Sequence, residues 1–117
     1  MAPRPSPALP ALLAALALLV GAGVAAAAEP EHVGGRGRAV LLVTGPEADP
    51  GLYRWEDGGG LAPYLVRRGF AVWLADGLDL VRAVEVVREQ SGTERVSLVG
   101  HGLGGTACYR YLTESGD

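Results

Sequence analysis

The 117-residue sequence has a single cysteine, Cys108, and contains no lysine, asparagine or isoleucine. One cysteine excludes an internal disulfide, so a folded domain must depend on its apolar core. All ten cations are arginines scattered along the chain, and the formal net charge is only −3. Without a basic stripe, nothing in the sequence indicates a nucleic-acid partner. We predict that Cys108 is a small buried residue of a helix rather than a reactive thiol.

The first 28 residues have the layout of a secretory signal. A short start with one cation, Arg4, precedes an unbroken apolar run from Leu12 to Val20, and the segment ends in small alanines. This pattern predicts that residues 1–28 are removed and that the protein is exported to the periplasm or the exterior. A membrane anchor over residues 9–28, left uncleaved, is the alternative, because that segment approaches the roughly 20 residues that span a bilayer.

The rest of the chain alternates between two kinds of apolar pattern. Residues 29–37 are polar and glycine-rich, which indicates a flexible lead-in to one domain over residues 38–117. Three short apolar runs that stop at turn residues predict buried strands, and helical spacing follows each of them. The order is typical of a three-layer α/β domain with a short parallel sheet. The predicted strands are 39–43, 70–75 and 96–99, and the predicted helices are 61–68, 78–90 and 106–112.

The sequence also predicts which side chains of the loop and of the second helix pack inward. We expect the loop after the first strand to be held down by Tyr53 and Trp55. In the second helix, the 3.6-residue period predicts a buried face. Its expected members are Leu80, Val81, Val84 and Val87.

A glycine-rich turn, Gly100-His-Gly-Leu-Gly-Gly, joins the third strand to the last helix. This turn resembles the nucleophile elbow, G-x-S-x-G, of the α/β-hydrolase superfamily. Gly100 and Gly104 occupy the two positions at which the family needs glycine for a close approach of strand and helix, and Gly105 follows them. Gly102 stands where the family has its serine nucleophile, and His101 precedes it as a structural neighbour.

The resemblance extends over nearly all of the chain after the signal segment. Residues 61–76 look like the helix and strand that precede the elbow in lipase-like and polyhydroxyalkanoate-synthase-like members, and Asp76 ends that strand. The family activity would be hydrolysis of a small ester or lipid. The family's strand order would place the first of the three parallel strands in the middle, leaving two exposed edges that favour self-association.

The family's catalytic groups are absent from this sequence. Glycine at position 102 supplies no nucleophile, and losing one costs about a millionfold in rate. The family's acid and histidine come after the nucleophile, but no histidine follows Gly102 here. The Leu103 N–H would be one oxyanion donor, whereas Pro46, in the loop that commonly supplies the second, has no N–H. We therefore expect an inactive hydrolase-like protein or a truncated fragment, with no cofactor and no metal.

Two other functions remain open for this turn. Gly100, Gly102 and Gly105 also match G-x-G-x-x-G, with which dinucleotide-binding domains hold a pyrophosphate at a helix N-terminus. Asp76 would suit such a domain, although the acid expected about 20 residues beyond the turn is missing. The other alternative is a non-catalytic binding protein on the hydrolase fold.

Overall fold

A computed structural model describes residues 29–48 and 50–115. The predicted signal segment and the alternative anchor lie outside these residues. In the part that is described, no helix is long and apolar enough to cross a membrane. A short 3-10 turn covers Pro50–Leu52. The strands are β1 (Glu31–Gly34), β2 (Ala39–Thr44), β3 (Ala71–Asp76) and β4 (Val96–Gly100), and the helices are α1 (Leu61–Arg67), α2 (Leu80–Ser91) and α3 (Leu103–Ser115).

The strands form one sheet in the order β1-β3-β2-β4. Strand β2 pairs in parallel with both β3 and β4, and β1 pairs antiparallel with β3. The predicted α/β fold is confirmed, with the first of the three parallel strands in the middle. All six residues of β2 are buried, because helices and loops cover both of its faces. The outer edge of β3, expected to be open, is instead covered by β1.

Alternate residues of the strands face two separate apolar clusters, and these define three layers. On one face, Leu41, Val43 and Trp73 pack with α2 and α3. On the other, Leu42 and Val72 pack with α1 and with the loop that follows β2. The sheet is thus the middle layer, as the continuous apolar runs predict.

The prediction of a flexible lead-in over residues 29–37 is wrong for Glu31–Gly34, which form β1. The imidazole of His32 stacks on the Trp73 indole with ring centroids 4.4 Å apart. The Glu31 carboxylate pairs with the Arg54 guanidinium at 2.8 Å. Both partners are distant in sequence, so the polar composition of the segment carries no sign of the strand.

Helix α2 begins at Leu80, capped by the Asp79 carboxylate, which accepts the Arg82 N–H at 3.1 Å. Leu80, Val84 and Val87 are buried as predicted, but Val81 is 58% exposed. The reason is helical geometry. Successive side chains are rotated by about 100° about the helix axis, so Val81 points about 100° away from Leu80, which faces the sheet. Ala83 and Val86 complete the buried face instead.

The expectation for the loop after β2 holds for one of its two aromatic residues. Tyr53 is buried beneath the loop, whereas Trp55 is 60% exposed. The Tyr53 hydroxyl reaches the backbone of the central strand, and donates to the Val43 carbonyl at 3.0 Å. This bond supplies the partner that a tyrosine hydroxyl needs when its ring is buried in the apolar cluster.

Candidate functional site

The glycine-rich turn lies at the carboxyl end of β4, where parallel strands of α/β sheets position their ligand sites. Strand β4 ends at Gly100 and α3 begins at Leu103, so only His101 and Gly102 separate them. The helix therefore starts three residues before its predicted start. Gly102 has φ +60°, which is the left-handed region that favours glycine. A strained backbone at this position is also what the nucleophile-elbow pattern implies.

Gly100 and Gly104 bring the strand and the helix into backbone contact. A Cβ at Gly100 would lie 2.5 Å from the Gly105 Cα, and one at Gly104 would lie 2.3 Å from the Val43 carbonyl oxygen. Gly105 has more room, because its Cβ would meet nothing closer than 3.5 Å. The first turn of α3 thus packs directly against the ends of β4 and the central strand β2.

A carboxylate that the sequence reasoning missed lies over this turn. The Leu103 N–H donates to Glu47 Oε1 at 3.1 Å, and a Cβ at Gly102 would lie 2.8 Å from the same oxygen. A negative charge at this place stabilises α3, since it accepts an unpaired N–H of the first turn and faces the positive end of the helix dipole. Glu47 follows the central strand β2, which pairs in parallel with β4, so the carboxyl ends of the two strands are adjacent. Had the strand order been used, this adjacency could have indicated that Glu47 lies near the turn.

The hydrogen bond to Glu47 occupies the Leu103 N–H, which the sequence predicts as an oxyanion donor. In an active hydrolase, preorganised N–H groups face the oxygen on which negative charge develops. Here the Leu103 N–H already has an anionic partner, and Pro46 cannot donate. An oxyanion developing at this position would therefore meet the Glu47 carboxylate.

Two further polar side chains, Asp76 and Tyr53, have structural partners. The Asp76 carboxylate accepts the Leu78 N–H at 3.1 Å and closes the turn after β3. Burial raises the pKa of the Tyr53 hydroxyl, so the hydroxyl remains a donor to the backbone. His101 is exposed at the turn. Among the described residues, no group of histidine, cysteine and acidic side chains could hold a metal ion.

Cys108 lies inside α3 and is buried, as predicted. Burial raises the pKa of its thiol, which keeps the thiol protonated and weakly nucleophilic near neutral pH. The nearby hydroxyl residues also have the predicted positions, with Ser97 on β4 and Thr106 in α3. Neither stands at the tip of the turn, so neither replaces the missing nucleophile.

No protein-family model, curated protein or solved structure matches this chain. The comparison with hydrolases therefore depends on the turn itself and on the order of the strands.

We expect Gly102→Ala to lower the free energy of unfolding by about 1–2 kcal/mol, because alanine is strained at a left-handed φ. Gly92 is a matched control, since it has φ +71° and a Cβ there would meet nothing within 4 Å. Gly102→Ala should cost more than Gly92→Ala, because its methyl group also displaces the Glu47 carboxylate. Urea melts measure both changes.

The excess cost of Gly102→Ala should disappear when Glu47 is already alanine, since the contact is then absent from both members of the pair. A double-mutant cycle isolates that coupling. If Gly102→Ala leaves the stability unchanged or raises it, the left-handed turn is not the native conformation.

Proposed function

We propose that this chain carries an α/β-hydrolase-like domain that binds a small neutral ester or lipid without hydrolysing it. The observation that carries the proposal is the turn between β4 and α3, where Gly102 has φ +60° and the Leu103 N–H is bonded to the Glu47 carboxylate. The turn has the shape of a nucleophile elbow, but it offers neither a nucleophile nor a free oxyanion donor.

Two features support the hydrolase-like part of this proposal. The parallel strands have the order that the resemblance implies, with β2 in the middle. The close packing at Gly100 and Gly104 is what the elbow pattern requires of its flanking glycines. Strain at a left-handed residue is tolerated where function needs the side chain, and glycine at position 102 relieves that strain when no hydroxyl is needed.

The ligand class follows from the surroundings of the turn. Leu103, the first residue of α3 and the neighbour of Gly102, exposes an apolar side chain to 54%. The Glu47 carboxylate at the start of α3 disfavours an anionic group there. An uncharged ligand with an apolar part, such as a small ester or lipid, suits this combination best.

The dinucleotide alternative has less support from the geometry. A pyrophosphate would need the N-terminus of α3, where the Glu47 carboxylate already accepts the Leu103 N–H. The candidate acid, Asp76, ends β3, and β2 separates β3 from the strand that carries the glycine turn. Its carboxylate is also engaged with the Leu78 N–H.

The purified protein should show no hydrolysis of p-nitrophenyl butyrate above the buffer rate and no labelling by a fluorophosphonate. Gly102→Ser should stay inactive, because an unactivated serine is a weak nucleophile and no histidine follows it in the sequence. An active esterase assayed in parallel is the positive control. Thermal melts should shift upward with a neutral ester such as tributyrin and remain unchanged with NADH.

A burst of p-nitrophenol or a covalent fluorophosphonate adduct would contradict the inactive elbow. A thermal shift with NADH alone would favour the dinucleotide alternative.

We also propose export with removal of residues 1–28, on the signal layout of the sequence. The intact mass of the exported material used in these assays tests this, because a processed chain begins at Glu29.

A further inference from the structure

Strand β4 has an open edge within the described part of the chain, because it pairs only with β2. The His101 N–H points to the Val43 carbonyl of β2 at 3.4 Å. Since backbone groups alternate in direction along a strand, the N–H and C=O groups of Val96, Leu98 and Gly100 point away from β2. The strand, Val-Ser-Leu-Val-Gly, contains none of the charged residues or prolines that usually protect an edge.

An apolar strip of α3 accompanies this edge. Leu112 is 48% exposed and Tyr109, one helical turn earlier, is 70% exposed. Leu112 also lines a cavity of about 340 Å³ together with Val96 and Leu98 of β4. The strip and the unpaired backbone groups thus belong to one continuous surface.

The two ends of β4 carry opposite charges. Arg95 directly precedes the strand and is exposed, and Arg88 lines the same end, so this end is net positive although the exposed Glu94 also lies there. At the other end, the exposed Glu47 carboxylate is held against the Leu103 N–H, two residues beyond His101. An antiparallel neighbour would place the positive end of one strand beside the negative end of the other. The charge pattern therefore complements itself.

We propose that a second copy of this chain pairs antiparallel with β4 across a two-fold axis at Leu98. Val96 of each copy would lie opposite Gly100 of the partner subunit, so that the outward backbone groups of both strands pair. Arg95 would approach Glu47 of the partner subunit, twice by symmetry. The two α3 helices would lie side by side and cover Tyr109 and Leu112, giving a closed isologous dimer. This inference does not depend on the proposed function.

Sedimentation equilibrium of the purified protein over a concentration series should give twice the mass of one chain. Arg95→Glu and Glu47→Arg should each weaken the dimer by about tenfold or more, because each places like charges together at both ends of the pairing. The double variant should restore dimerisation, since it exchanges the two signs. Arg67→Glu makes the same charge change on α1, away from this edge, and should leave the dimer intact.

Val96→Pro tests the backbone pairing separately. Proline removes an N–H that faces the open edge, and proline is tolerated at the first residue of a strand, so the fold should survive while the dimer is lost. Circular dichroism checks that each variant is folded. A monomer at all concentrations, assembly into open polymers, or a dimer that is unaffected by both Val96→Pro and the charge reversals would overturn the proposal.

Discussion

Gly104→Ala should lower the free energy of unfolding by about 3 kcal/mol, since overpacking against rigid surroundings costs this much. A methyl group there would lie 2.3 Å from the Val43 carbonyl oxygen, and this neighbour is backbone of the central strand, which cannot rotate away. The helix would have to move off the sheet, and the turn at Gly102 would move with it. Urea unfolding followed by circular dichroism measures the change.

Gly105→Ala is the matched control, one residue further along the same helix. Its Cβ would lie 3.5 Å from the Gly100 carbonyl oxygen, an ordinary contact. Alanine also has a higher helix propensity than glycine, by about 1 kcal/mol, so this variant should be as stable as the unmodified protein or more stable. Equal losses in the two variants would mean that α3 does not approach β2 as closely as described.

Trp73→Ala is expected to destabilise the protein by about 3–5 kcal/mol, the usual cost of removing a large buried aromatic side chain. Trp73 is fully buried in β3, and its indole N–H donates to Gln90 Oε1 at 2.8 Å. It also supports β1 through the stack with His32. A loss of this size is comparable to the whole stability of many small domains, so Trp73→Ala should be largely unfolded at room temperature.

His32→Ala separates the two roles of Trp73. It removes only the ring stack, which is worth about 0.5–1.5 kcal/mol, and leaves the core in place. Thermal melts should therefore show a cooperative transition at a slightly lower melting temperature for His32→Ala and little or no transition for Trp73→Ala. Comparable decreases would indicate that β1, rather than the core around the indole, provides most of the stability.

The parallel sheet could be predicted because its strands are short apolar runs with turn residues at both ends. Ala39–Val43 has no polar residue and stops at a turn, which favours a strand covered on both faces. The glycines at 100, 102 and 104 were also informative, since two of them allow backbone contact and the third adopts a left-handed φ. These features are local, and local composition expresses them directly.

The features that were missed depend on contacts between distant residues. Strand β1 pairs with β3, and its side chains contact residues far along the chain: Glu31 pairs with Arg54, and His32 stacks on Trp73. The polar segment itself does not identify either partner. The position of Glu47 over the glycine-rich turn has the same origin, since it lies 56 residues from Leu103. A sequence pattern can place both residues at one edge of the sheet, but only the folded loop brings the carboxylate to the N–H.

A high-resolution crystal structure of the protein tests the central claim most directly, at the single turn from Gly100 to Gly104. We predict Gly102 in the left-handed region and Glu47 Oε1 within hydrogen-bonding distance of the Leu103 N–H, with no side chain from the described residues at the nucleophile position. Gly102 at an ordinary helical φ, or a Leu103 N–H that faces solvent while Glu47 lies elsewhere, would contradict the account of a left-handed turn closed by the Glu47 carboxylate.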